Sequence, residues 1–233
     1  MSALAAALLL TVPAACGDDD SEGEPLPADP EAIAAAAATA MGEVTSVRFD
    51  LSRTGAPVYI DPVEALRVDH VEGRYSAPSS ADAVLTVTVN DSLRTRLGAV
   101  AIDETVWLSN PVTGEFEPLA AGYDLDPSTF FDPMGGWRPL LADLEDVELV
   151  GEVDRDGPRY HLRGVAPADR VEAITAGLID DQDVEIDLWV RRDTGLVGAV
   201  EFTTIVGGDA TTWVLELGDY GGEFTIEPPA VDD

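Results

Sequence analysis

The chain has 233 residues, 45% hydrophobic and 25% charged, enough for one sizeable core with a tail to spare. Its 45 acidic against 13 basic residues give a formal net charge of -32 at pH 7, which repels phosphate backbones and anionic headgroups and so excludes nucleic acid and polybasic membrane adsorption. The single cysteine, Cys16, rules out an internal disulfide and a cysteine-based metal cluster, and neither metal nor cofactor is expected.

Residues 3–12, ALAAALLLTV, form an apolar run of the length of a signal-peptide core, too short to cross about 30 Å of hydrocarbon as a helix. The small residues of Pro13-Ala14-Ala15-Cys16-Gly17 at its end resemble a bacterial lipobox, in which the cysteine takes lipid and becomes the new N-terminus. Residues 1–15 are therefore expected to be a signal peptide and Cys16 a diacylglyceryl and palmitate anchor holding the protein on the extracytoplasmic face of the cell membrane. No Arg or Lys precedes the apolar run, so the true start is expected upstream. After Cys16, residues 17–30 (GDDDSEGEPLPADP) are acidic, proline-rich and short of large apolar groups, and 16–30 reads as a disordered tether.

Residues 31–41 (EAIAAAAATAM) predict a helix, with acid at its start and Gly42 near its end. The period then changes from about 3.6 to 2. Val47, Phe49 and Leu51 alternate with polar residues; Leu66, Val68 and His70 follow in the next strand; Ala83, Leu85, Val87 and Val89 make a third. Asn90-Asp91 and Asp103-Glu104 turn the chain into two more, so this half reads as an antiparallel meander.

Residues 126–144 (DPSTFFDPMGGWRPLLADL) lack strand alternation. Phe130, Phe131, Met134, Trp137, Leu140, Leu141 and Leu144 recur at steps of three and four, which predicts a bent helical lid broken at Gly135-Gly136, around which the sheet is expected to wrap. Beyond it come a hairpin across Asp154-Arg155-Asp156-Gly157, a helix over 167–178 with Val171, Ile174 and Leu178 on one face, and strands holding Ile186, Leu188, Val200 and Phe202. A last short strand is expected before Pro228 and Pro229. The fold class is mainly β (α+β), with about ten strands in a strongly curved antiparallel sheet and three to four helices. His70 and His161 lie far apart and no G-x-S-x-G is present, so no catalytic residues and no enzyme are expected.

Several short stretches in order carry a resemblance. They are Val106-Trp107-Leu108 followed by Pro111 and Gly114-Glu115-Phe116; Asp126-Pro127-Ser128 leading into Met134-Gly135-Gly136 and Leu140-Leu141; Val165 before Pro167-Ala168-Asp169; Asp187-Leu188-Trp189-Val190; and Leu217-Gly218-Asp219-Tyr220 ahead of Ile226-Glu227-Pro228-Pro229. Over 31–229 the chain resembles the actinobacterial lipoproteins of the LppX, LprA, LprF and LprG family, with 230–233 as a tail. The resemblance implies a U-shaped half-barrel similar in shape to LolA and LolB, with helices on its concave side and an apolar cavity between.

It also implies a cell-envelope lipoprotein that binds an acylated lipid such as a glycolipid, triacylglycerol or lipoglycan and carries it from the cytoplasmic membrane towards the outer envelope. Its partners are then lipid and, through the anchor, the membrane, with the protein a monomer. The inward residues expected to line the cavity are Val47 and Phe49; Leu85, Val87 and Val89; Phe130, Phe131, Met134, Trp137, Leu140 and Leu141; Val171, Ile174 and Leu178; Ile186 and Leu188; and Val200 and Phe202. So acidic a surface favours a neutral cargo unless Arg138, Arg163 or Arg170 lines the mouth. Periodicity alone does not tell a lined interior from a filled one, and the alternative is an envelope structural or interaction lipoprotein with a fully packed core.

Overall fold

The computed structural model describes residues 29–60, 63–103, 105–119, 130–132, 134–175, 179 and 181–230. The leader, Cys16, the tether as far as residue 28, residues 120–129 and Leu178 lie outside the described residues, and so do the expectations placed on them; Asp29 and Pro30, expected in the tether, instead cap and begin the first helix.

Helix α1 (Pro30–Gly42) begins where the sequence signals it. The Asp29 carboxylate accepts from the Ala32 N–H at 2.9 Å, Pro30 fills a position whose N–H would go unpaired, and Glu31 faces the positive helix end. Six strands follow: β1 (Ser46–Gly55), β2 (Leu66–Ser76), β3 (Ser80–Val89), β4 (Leu93–Ile102), β5 (Thr105–Ser109) and β6 (Phe116–Pro118). After α2 (Trp137–Ala142) come β7 (Glu145–Asp154), β8 (Pro158–Ala166), α3 (Ala168–Ile174), β9 (Val184–Arg191), β10 (Val197–Val206) and β11 (Asp209–Gly218).

The eleven strands form one antiparallel sheet in the order β6-β5-β4-β3-β2-β1-β11-β10-β9-β8-β7. Two meanders are thus joined by pairing of the first strand with the last, Arg48 facing Gly218. Asn90 and Asp91 take φ of 47° and 54°, and Gly207 and Gly208 take 63° and 94°, so both hairpins turn in the sense that matches strand twist. At about 20° per neighbour the ten steps curl the sheet through roughly half a turn. Strands β6 and β7 each have one neighbour, so the sheet stays open, as a half-barrel does.

The three helices among the described residues pack on the concave face. Ile33, Ala37 and Met41 of α1 and Leu141 of α2 are no more than 2% exposed, against Leu162, Leu188, Val190 and Val197 of the sheet, all at 0%. Among the described residues the hub of this layer is α1, and not the stretch 126–144. The described part of that stretch is a 3₁₀ turn at 130–131 and the six residues of α2. Asp132 fixes the bend by accepting from the N–H groups of Met134 and Gly135 at 2.7 and 2.8 Å. A Cβ on Gly136 would overlap the Phe130 carbonyl, so only glycine permits the approach.

The expected strand at the C-terminus does not form. Residues 222–230 join no ladder, because both edges of β1 are already taken by β2 and β11 and the sheet's vacant edges lie at β6 and β7. Phe224 instead lies on the convex face, its ring 5.7 Å from the guanidinium carbons of both Arg48 and Arg74.

Candidate functional site

Strand alternation and register decide what faces inward. Four rows cross the meander of β1–β5: Val47–Tyr75–Ala81–Ala101–Val106, Phe49–Gly73–Ala83–Ala99–Leu108, Leu51–Val71–Leu85–Leu97 and, past a bulge in β2, Val68–Val87–Thr95. The opposite meander presents Leu162, Ile186, Leu188, Val200, Phe202, Trp213 and Leu215 on the same face. The helices pack on this second group apart from Trp213, and the two apolar clusters are separate. The larger joins α1, α2 and α3 to β7–β11 and the near side of β1 and β2. The smaller, around Val68, Leu85, Val87 and Leu97, contains no helical side chain.

Between the clusters lies a trough. Its floor is the row Gly73, Ala83 and Ala99, where the Phe49 ring lies over Gly73 and only the small side chains of Ala83 and Ala99 stand above the backbone. Phe49 and Leu108 end the row, and Leu85 and Leu97 wall it. Ala83, Ala99, Phe49, Leu51, Val71 and Leu108 are only half-buried, although they face inward. Phe131 stacks on Tyr75 with ring centroids 4.3 Å apart and closes one end of the trough.

The other end is polar. Arg53 continues the inward row of Phe49 and Leu51, with its side chain 6% exposed. Its Nη1 donates to the Ala56 carbonyl at 2.6 Å, its Nε to the Val68 carbonyl, and its Nη2 to Asp69 at 3.2 Å. Asp69 also accepts from the Thr88 hydroxyl at 2.6 Å and from Arg67 Nε at 3.0 Å. Burial pushes Arg53 below its ordinary pKa, with the Arg67 charge adding to it and Asp69 opposing. Burial would lift Asp69, yet hydrogen bonds from Thr88 and Arg67 and the charges of Arg67 and Arg53 hold its carboxyl below the usual range.

The expected lining residues divide four ways. Val47, Trp137, Leu140, Leu141, Val171, Ile174, Ile186, Leu188 and Val200 are buried in the larger cluster, where neighbouring side chains already occupy the space beside them. Phe49, Phe130, Phe131 and Phe202 sit half-buried at its border. Leu85 and Val87 belong to the smaller cluster, with Val89 at its edge. Met134 is 80% exposed and lines nothing: the turn held by Asp132 points it to solvent. None of the three arginines placed at the mouth is there. Arg163 pairs with Asp187 at 3.0 Å on the convex face, Arg170 reaches Asp143 at 2.6 Å, and the stem of Arg138 lies against Gly42. Sequence reasoning missed Arg53, although its place two residues after Leu51 on an alternating strand was the signal.

The surface of the described residues also carries two clefts. One of about 710 Å³ opens where α1, α2 and β7 meet, with Ala34, Leu141, Leu144 and Val147 behind a rim of Glu31, Asp146 and Glu148. The other, about 390 Å³, lies over β1–β4 and includes Val84, Gly98, Val100 and Phe116. His70 and His161 both lie on the sheet beside carboxylates, Asp50 at 2.9 Å and Asp187 at 2.6 Å. No group of three or more metal-binding side chains occurs among the described residues.

Residues 29–226 match the LppX_LprAFG lipoprotein family. No curated protein matches the sequence. Among solved structures, LprF from Mycobacterium bovis superposes with a TM-score of 0.69 at 14% identity, over 89% of this chain and 100% of that one. LppX from Mycobacterium tuberculosis superposes with a TM-score of 0.58 at 16% identity, over 84% and 97%. These two likenesses show the fold.

Proposed function

Because the chain belongs to the LppX_LprAFG lipoprotein family, we propose that it is an envelope carrier that holds the acyl chains of a lipid in the trough between its two apolar clusters. The observation that carries this reading is the half-buried inward surface of Val71, Ala83, Ala99 and Leu108, whose apolar cluster contains no helical side chain among the described residues. A folded interior normally closes on such side chains. Each methylene moved from water into the trough contributes about 0.8 kcal/mol, so affinity grows with chain length and needs few polar contacts. The network of Arg53, Asp69, Arg67 and Thr88 is internally paired and leaves little charge for an anionic headgroup. The acidic surface and this pairing favour a neutral cargo, a glycolipid or triacylglycerol, over an anionic lipoglycan.

Cys16 carries the lipid anchor in this reading, and 16–30 reach from the extracytoplasmic face of the cell membrane to the folded domain, which acts as a monomer. Native mass spectrometry of protein extracted gently from its own membrane tests the proposal. A co-purifying acylated species supports it. A clean apo mass, with no uptake of a fluorescent acyl probe, leaves the structural or interaction lipoprotein that the tight packing under the helices would suit.

A further inference from the structure

Arg159 and Arg191 are direct cross-strand partners on β8 and β9, at positions alternate to the inward Tyr160 and Val190. Like charges placed opposite each other destabilise a sheet, and here the two are also desolvated. The Arg159 side chain is 6% exposed, Arg191 is half-buried, and the Nε of each is shielded from water with no hydrogen-bond partner among the described residues. The carboxylates that act on Arg159 are Asp156, 4.0 Å away and itself 95% exposed, and the more remote Glu216. Arg155 adds a third positive charge nearby, although Glu216 pairs with it at 2.6 Å.

This neglect is selective. The chain has 45 acidic residues for 13 arginines, and the other deeply buried arginine, Arg53, has three acceptors. Arg48, Arg67, Arg74, Arg96, Arg163, Arg170 and Arg192 are paired with carboxylates as well. The seat is also shaped. Strand β10 bulges between Val197 and Ala199, and a Cβ on the skipped Gly198 would fall 2.6 Å from Arg159 Nη1 and 2.8 Å from its Cζ. The guanidinium therefore lies flat where only glycine leaves room. Tyr220 borders the seat, 5.8 Å from the Arg191 guanidinium, and its hydroxyl donates to the Val197 carbonyl at 2.5 Å.

We infer that Arg159 and Arg191, seated on the Gly198 bulge of the convex face, form a binding site for a phosphate-type oxyanion. Two guanidinium forks match a tetrahedral group that offers three or more oxygens, and a bound anion relieves the repulsion between them. The long-range field of a chain at -32 opposes anions, so occupancy has to come from this local geometry. Burial, then the charges of Arg191 and Arg155, push Arg159 below its ordinary pKa, the direction an anion would reverse. The source is either free phosphate or the phosphodiester of a lipid headgroup. The site lies across the sheet from the trough and does not depend on the carrier reading.

The test follows the Nε–Hε resonances of the arginines in the purified protein during titration with inorganic phosphate, sulfate and a water-soluble short-chain phosphatidylglycerol at constant ionic strength. Saturable shifts of Arg159 and Arg191, with exposed Arg94 and Arg138 unmoved, are expected. Gly198→Ala and Arg191→Gln should each weaken binding about ten-fold, with acyl-probe uptake unchanged. Phosphatidylglycerol binding about ten-fold tighter than phosphate identifies a headgroup site, and equal affinities identify a free-anion site. Resonances that stay still up to about 50 mM phosphate, or that move only in step with Arg94 and Arg138, meaning an adventitious ion only, overturn the inference. Should Gly198→Ala not fold, the Arg191→Gln titration decides alone.

Discussion

Filling the trough should abolish lipid uptake without unfolding the protein. Ala83 sits at the centre of the floor row, between Gly73 on β2 and Ala99 on β4, so the ring of Ala83→Phe would lie across one strand spacing of about 4.8 Å. A ring of that size excludes about four chain methylenes. At about 0.8 kcal/mol each the loss is about 3 kcal/mol, somewhat more than a hundred-fold in affinity. Val84→Phe is the control: the same strand, one residue on, facing the open cleft of the convex face. Titration with an environment-sensitive fluorescent acyl probe measures affinity, and thermal unfolding reports stability. The expected result is a hundred-fold loss for Ala83→Phe, no change for Val84→Phe, and two folded proteins. Unchanged probe affinity in a folded Ala83→Phe, or equal losses in both, would refute the assignment of the trough.

Other outcomes follow from burial and charge. Leu188, at 0% exposure, should lose about 2–5 kcal/mol on replacement by alanine, whereas Met134→Ala, at 80% exposure, should stay within about 0.5 kcal/mol of wild type in urea denaturation. Asp69 has a folded pKa depressed below its ordinary 3.8, so its contribution to stability is complete above that value and is lost as pH falls through the lower folded value. Acid unfolding should therefore steepen below about pH 4 in the wild type and less so in Asp69→Asn; parallel curves would remove Asp69 from the account. Cys16→Ser should release the protein from membranes into the soluble fraction and remove the acyl mass from its N-terminus, and a variant that stays membrane-bound would overturn the anchor.

Much of the architecture was legible because it rests on local chemistry. Asp29, Pro30 and Glu31 announce α1, two-residue polar turns announce the hairpins, and period-2 alternation gives nearly every long strand its inward residues. The lid was over-read: its apolar spacing is real, but Gly136 and Asp132 bend the chain so that Met134 leaves the face to which the spacing assigned it. The tail was misread as a strand because a sequence does not reveal which sheet edges remain vacant. Arg53 was readable in principle from its place after Phe49 and Leu51, but the acceptors that make it tolerable come from Val68 and Asp69, across a bulge.

By itself the sequence determined the class of molecule: a curved antiparallel sheet with apolar helices on one side, and a surface too acidic for polyanions. Those properties follow from periodicity, turn chemistry and summed charge, each a matter of neighbours along the chain. Only the tertiary structure decided which inward side chains are covered, because coverage depends on how far three short helices reach across eleven strands. The same holds for the pairing of Arg48 with Gly218, which joins the two meanders, and for the register that sets Arg159 beside Arg191 over Gly198. Contacts between residues so distant in the chain are selected by the burial of whole faces, and no local pattern encodes them.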